Sequence, residues 1–450
     1  MRKLWICLTV VALVTILVPA AHAGERAPSP AAVASIGQQV PDFTLRDYRG
    51  KETRLSDFAE SKFVVVAFLG TDCPLVKLYG PRLAELADAY ADQGVAVVGI
   101  NSNRQDTPRK TGAHAQQYGL EFPILKDPDN AIADAFTAER TPEIFVLDAE
   151  RKVRYRGRID DQYGFDTGTG YGTPNVRNHD LTKALDELLA GEEVSVPVTH
   201  VAGCLIGRVA KVEAHGDVTY SNQIARIFQK HCVECHRDGE IGPFPMTNYE
   251  EVAGWGEMIE EVITQQRMPP WYANPEHGEF RNARRLSEEE IQHVADWVAN
   301  GQPEGDPADL PEPAVFAEGW QIPEPDAVVY MAEEPYQVPA EGVVDYIHYT
   351  VDPGFTEDKW VKAVEARPGN RSVVHHIIVS IIAPDESAES SFRRTGGLCG
   401  YAPGMQAREY PEGVGIYVPA GSKFRFQMHY TPNGVACEDR SSVGMVFADP

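Results

Sequence analysis

The densest concentration of chemistry in this 450-residue chain is Cys232-Val233-Glu234-Cys235-His236. Two thiols three residues apart, followed at once by an imidazole, form a C-x-x-C-H pattern. This pattern attaches haem through two thioethers and ligates its iron with the histidine. Zinc also takes Cys and His, but a site of that kind draws on a second C-x-x-C, and the chain has none. A second candidate is Cys73, in Phe68-Leu69-Gly70-Thr71-Asp72-Cys73-Pro74, where a strand gives way to a helix. Unpaired N–H groups and the dipole of a helix N-terminus stabilise a thiolate there. Histidines supply the third. His375 and His376 interrupt the apolar run Val373–Val379, and His429 lies in Phe424-Arg425-Phe426-Gln427-Met428-His429-Tyr430. That alternating strand puts His429 on the face opposite Phe424, Phe426 and Met428. A site using both His375 and His376 requires a bulge or twist, because adjacent strand residues normally face opposite ways.

Three segments position these residues. Residues 24–216 alternate strands and helices, with a buried strand at Phe63–Phe68, a helix over Pro81–Gln93, a strand at Val95–Ile100, and a hairpin of Ile144–Asp148 with Val153–Arg156. Thr141-Pro142 predicts a cis-proline turn packed opposite Cys73. This is an α/β layer fold, with Cys204 in an extension beyond its last helix. Residues 217–304 read as all-α, with helices over Tyr220–Lys230 and Glu257–Gln265. A further helix is capped at Ser287, runs to Asn300 and stops at Gly301. The acidic, proline-rich stretch 305–319 reads as a linker. Residues 320–450, rich in Val, Ile, Tyr, Pro and Gly without a long helical period, read as an antiparallel, jelly-roll-like all-β domain. Cys399 and Cys437 are candidates for a disulfide within it.

The first segment, including Val40-Pro41-Asp42-Phe43-Thr44-Leu45, resembles the redoxin branch (AhpC/TSA type) of the thioredoxin-like superfamily. Val76 stands where a thioredoxin-type C-x-x-C needs its second cysteine, and Gly70 where a peroxiredoxin has threonine. Thr71 and Arg140 match the peroxidase helper residues only approximately. The resemblance implies Cys73 as nucleophile with Cys204 as resolving partner; a structural disulfide, or a redoxin domain that has lost catalysis, stays open beside it. The second segment is similar to class I cytochrome c domains, which implies a methionine as second axial ligand. Of Met246, Met258 and Met268, the last is favoured, in the proline-stiffened loop Arg267-Met268-Pro269-Pro270-Trp271. Met258 reads as core. The third segment resembles the first domain of copper type II, ascorbate-dependent monooxygenases. His375, His376 and His429 match the three imidazoles of that family's electron-delivering copper, which also suit zinc, while His348 reads as structural. The oxygen-activating copper of that family belongs to a second β-domain, and the sequence reaches Pro450 before one, so one copper is expected to bind without hydroxylation.

With 41 Lys and Arg against 66 Asp and Glu, the net charge of −25 argues against nucleic-acid binding, since a phosphate backbone needs clustered cations. Residues 1–23 combine Arg2 and Lys3, an apolar run from Leu4 to about Leu17, and Ala21-His22-Ala23. They read as a cleaved signal peptide, with an uncleaved anchor as the alternative. No later segment reads as a membrane span, so the expected location is exported, periplasmic or otherwise extracytoplasmic. Together these features predict a c-type haem oxidoreductase or electron-transfer protein that couples haem to thiol and copper chemistry. Its partner would be a redox protein or a small reductant or oxidant. A non-catalytic electron carrier or redox sensor with docking domains is the rival.

Overall fold

The computed structural model describes residues 36–448 apart from 166–169, 272, 281, 318 and 385–395. The signal-peptide reading lies outside the described residues.

The first segment is built on a seven-stranded sheet. Its strands are β1 (Thr44–Asp47), β2 (Glu52–Arg54), β3 (Phe63–Phe68), β4 (Val95–Asn101), β5 (Ile124–Lys126), β7 (Glu143–Leu147) and β8 (Val153–Gly157), in the order β2-β1-β5-β4-β3-β7-β8. Val64 to Phe68 are buried on both faces, which is why a continuous apolar run forms this interior strand, β3. β4 runs parallel to β3 and β5, the remaining pairs are antiparallel, and α1 (Pro74–Ala91) makes the crossover from β3 to β4. The helix therefore begins seven residues before the expected Pro81, directly after Cys73, and accommodates Pro81 in its interior. α2 (Pro108–Gln117), α3 (Ala131–Phe136), the short strand β6 (Arg140–Thr141), the pair β9 (Tyr163–Phe165) and β10 (Gly170–Gly172), and α4 (Asp180–Leu189) complete this layer. β11 (Cys204–Leu205) then returns to pair antiparallel with β6.

Between β11 and β12 the described residues contain helices and no strand. A helical turn, Tyr220–Ile224, leads into α5 (Ala225–His231), followed by α6 (Tyr249–Val252), α7 (Gly256–Thr264) and α8 (Glu288–Ala299). α8 opens on the reciprocal Ser287–Glu290 capping box, as its sequence predicts. Trp297 is fully buried edge-on to Phe228, and its indole N–H donates to Pro303 O at 3.0 Å. The stretch read as a linker lies along this segment: Gln229 donates to Glu312 O and Arg237 sits 4.1 Å from the Phe316 ring centre.

The remaining strands are β12 (Ala327–Tyr330), β13 (Tyr336–Val338), β14 (Ile347–Val351), β15 (Lys359–Arg367), β16 (Val374–Ile382), β17 (Gly397–Tyr401), β18 (Arg408–Glu409), β19 (Ile416–Val418), β20 (Lys423–Tyr430), β21 (Cys437–Asp439) and β22 (Ser442–Phe447). One sheet runs β12-β22-β15-β18, with β19 also on β15, and another runs β14-β20-β16-β17. Val361, Val364, Ile377, Val379, Phe424, Phe426, Val443 and Met445 fill one core from both sheets. The expected Cys399–Cys437 disulfide is not formed. Cys399 is on β17, Cys437 pairs with Val338 on β13–β21, and both thiols are free.

Candidate redox and metal sites

Cys73 is the residue that caps the N-terminus of α1, with Pro74 supplying the first helical turn. Its sulfur faces the end of β6, donating to Thr141 O at 3.1 Å, and Thr141-Pro142 is cis. Cys204 arrives at the same place from 131 residues later, because β11 pairs with β6 in the register Cys204↔Thr141 and Leu205↔Arg140. Gly203 makes the approach possible, since a Cβ there would overlap Thr141 O. The two thiols are close enough to act on each other's ionisation. Burial opposes ionisation of Cys73, but hydrogen bonds from the Cys204 thiol and from the backbone at Val76 and Cys204 outweigh it, bringing the thiol down to about 6. Cys204 moves the opposite way, raised by the Cys73 sulfur and by burial. Such a pair divides into one easily ionised sulfur and one that keeps its proton.

The residues that depart from peroxidase patterns have other work. A Cβ at Gly70 would overlap the Asn103 side chain, so threonine there would displace an amide that bonds Asp106 and the Gly207 N–H. Thr71 is held by Asp106, through its hydroxyl at 2.6 Å and its N–H at 3.0 Å. Arg140 spans Gly203 O at 2.8 Å and Glu261 at 2.7 Å, tying β11 to α7.

In the helical segment, α5 ends at Cys232, whose N–H bonds to Phe228 O. Cys235 and His236 then both donate their N–H to Cys232 O, at 3.0 and 2.9 Å. His236 Nδ1 lies 3.0 Å from Phe244 O; a carbonyl only accepts, so Nδ1 carries the proton and Nε2 has the free lone pair. Phe244 is in turn stacked on Trp255 at 4.2 Å. Burial, then Cys235, raises Cys232 to about 12; burial raises Cys235 and lowers His236. Protonated thiols and a neutral, oriented imidazole are the forms that thioether attachment and iron ligation require, so these residues suit a covalent haem. Met246 is buried and Met258 is engaged, its sulfur accepting from Leu205 N–H at 3.4 Å. Met268, 39% exposed, follows α7 with Pro269 behind it.

The three histidines of the β-domain come together. The β16–β20 pairing slips between Val374 and His376, a bulge that lets consecutive residues reach one side, and His376 stands opposite His429. Ring nitrogens of His375, His376 and His429 lie within 4.8 Å of one another. The His375 and His376 Nδ1 atoms are 3.4 Å apart, and His429 Nδ1 is buried without a partner. Burial, then His375, lowers His429 to about 4, and burial also lowers His375. Three imidazoles gathered this closely, one with a buried nitrogen lacking a hydrogen-bond partner, form a donor set that suits a copper or zinc ion. His348 stands one step back: Gln427 contacts His376 at 3.3 Å and His348 at 3.2 Å.

Sequence reasoning missed Glu234, Arg284 and Glu261, which join the segments. Glu234, inside the C-x-x-C-H motif, accepts from Arg284 at 3.0 Å and from Gln406 of the β-domain at 2.9 Å. Lys77 of α1 donates to Pro243 O in the loop after the motif. None carries a local pattern that could have announced it.

Among known proteins, the AhpC/TSA family matches residues 36–156. The chain is similar to the thiol-disulfide oxidoreductase ResA of Geobacillus thermodenitrificans, 32% identical over 120 residues that make up 27% of this chain and 67% of the relative. It is also similar to ResA of Bacillus subtilis, 33% identical over 121 residues, 26% of this chain and 65% of the relative. A solved structure of a hypothetical protein from Sinorhizobium meliloti is 36% identical, spans 38% of this chain and 94% of its own, and has a TM-score of 0.35. The family match falls on the sheet that carries Cys73, and through that segment the chain belongs to the AhpC/TSA family.

Proposed function

We propose that the chain is an exported thiol-disulfide oxidoreductase whose redox pair is Cys73 and Cys204. The observation that carries this reading is the β6–β11 pairing, which delivers Cys204 to a Cys73 sulfur already inclined to ionise. In the reducing direction, the Cys73 thiolate attacks a substrate disulfide and expels one substrate thiolate, which takes up a proton. Cys204 then loses its proton and attacks Cys73 Sγ, so the second substrate thiol leaves and a Cys73–Cys204 disulfide remains. Two electrons pass from the protein to the substrate.

Cys232, Cys235 and His236 would hold a covalent haem c, with Met268 as a further ligand, in a class I cytochrome c-like segment. His375, His376 and His429 would hold one copper, in a domain like the first half of copper type II monooxygenases. When bound, both groups supply one-electron transfer. Around them, the chain's own residues orient His236 through Phe244 O and dock the β-domain on Glu234. The burial of both sulfurs favours a second reading, a redox sensor or carrier whose thiol pair communicates only within the chain.

Turnover with a small aromatic disulfide separates the two. The oxidoreductase reading predicts release of substrate thiol by reduced protein, abolition by Cys73→Ser, and accumulation of a mixed disulfide on Cys73 in Cys204→Ser. Full activity in Cys73→Ser contradicts it.

A further inference from the structure

The approach to the thiol pair is closed by the helical segment, and the closure converges on one carboxylate. Cys73 has no exposed surface and Cys204 is 6% exposed. On one side of β11 lies β6; on the other lies α7, whose Met258 sulfur accepts the Leu205 N–H. Glu261, one turn further along α7, accepts from Arg140 at 2.7 and 3.3 Å and from Arg267. Arg140 simultaneously grips Gly203 O, the residue before Cys204, and Arg267 lies 5.7 Å from the Phe165 ring centre. Both guanidinium groups act electrostatically on Cys204. All three side chains are largely withdrawn from water, so the cluster is screened little.

We propose that Glu261 is a specificity-determining residue for thiol–disulfide exchange: by holding Arg140 and Arg267 it keeps α7 across the pair, admitting small thiols and disulfides and excluding protein-sized ones. The inference rests on Cys73 and Cys204 being the redox pair. A protein dithiol has to lay its own backbone beside its attacking sulfur, but here β6 is already paired by β11 and the Leu205 N–H is already bonded to Met258. A small thiol needs only a path to one sulfur. In reduction of the oxidised pair, its thiolate attacks Cys204 Sγ and Cys73 leaves as thiolate. A second small thiol attacks the small-molecule sulfur of the mixed disulfide and forms the external disulfide, while Cys204 departs and takes up a proton. Two external thiols are oxidised and one protein disulfide is reduced.

The test follows reduction of the oxidised full-length chain by dithiothreitol and, separately, by reduced thioredoxin, with the Cys73–Cys204 peptide quantified by mass spectrometry. In the wild type, thioredoxin is expected to be far the slower of the two. Glu261→Ala is expected to raise the thioredoxin-to-dithiothreitol rate ratio by about tenfold or more, the factor carried by one charge-assisted hydrogen bond. Glu261→Gln, which keeps an acceptor, is expected to fall between, and it serves as the test if near-ultraviolet circular dichroism shows the alanine variant misfolded. Equal rates in the wild type, or an unchanged ratio in both variants, overturns the proposal. Absence of any reducible Cys73–Cys204 disulfide overturns the redox pair itself and the inference with it.

Discussion

Replacing Cys204 by alanine removes the thiol that faces the Cys73 sulfur while leaving that sulfur buried. Cys73 ionises near 6 instead of the ordinary 9.0 because hydrogen bonds overcome its burial, and the Cys204 thiol is the largest of them. A hydrogen bond to a charged group contributes about 1.5–3 kcal/mol, which at ~1.36 kcal/mol per unit is about one to two pH units. The thiolate of Cys73 in Cys204→Ala is therefore expected to titrate near ~7–8, with burial pulling it higher still if the cavity stays dry. The assay is the pH dependence of alkylation by iodoacetamide, resolved to the Cys73 peptide by mass spectrometry in fully reduced protein. The wild type should gain reactivity through about pH 6 and plateau well below the usual thiol range. A wild-type midpoint near 9, or a midpoint that stays near 6 in the variant, refutes the assignment of Cys204 as the group that poises Cys73.

Other outcomes follow from the remaining sites. Haem staining should survive boiling in denaturant in the wild type and vanish in Cys232→Ala/Cys235→Ala, since thioethers are covalent. Met268→Ala should abolish a sulfur-to-iron charge-transfer band that Met246→Ala leaves in place. Exchanging His375 and His376 together for alanine should lower copper content by one per chain, by elemental analysis, without changing haem content; stoichiometric zinc in the native protein would recast the site as structural. Glu143→Ala should cost about 3–5 kcal/mol in urea unfolding, because it strands a buried guanidinium. Glu143 bonds Arg156 at 2.6 Å and also accepts from the backbone that begins β6.

What could be read in the sequence was the local part of this design. The Val-rich run of β3, the Ser287 capping box and the need for a bulge at His375-His376 are all written within a few residues, and the structure has each of them. Pro81 misled the reading of α1, because proline favours a first turn and Pro74 offered the same signal seven residues earlier, beside Cys73. Contacts between segments were not legible: Arg140 meets Glu261 across 121 residues, and Glu234 meets Gln406 across 172, with nothing in either neighbourhood to pair them. The Cys399–Cys437 pairing failed for a related reason, since two cysteines in one domain say nothing about which sheet each strand joins. Cys204 was reachable only by resemblance, because a two-residue strand has no periodicity to detect.

The central claim is that Cys73 and Cys204 are one reversible redox couple. Equilibrating the full chain across a series of dithiothreitol redox buffers, then trapping and mapping every cysteine peptide, tests it directly. A single two-electron transition should appear in which the Cys73–Cys204 disulfide forms as both free thiols disappear, with a slope of ~30 mV per tenfold change in the buffer ratio. Cys204 remaining free in fully oxidised protein, or Cys73 pairing with any other cysteine, would contradict it.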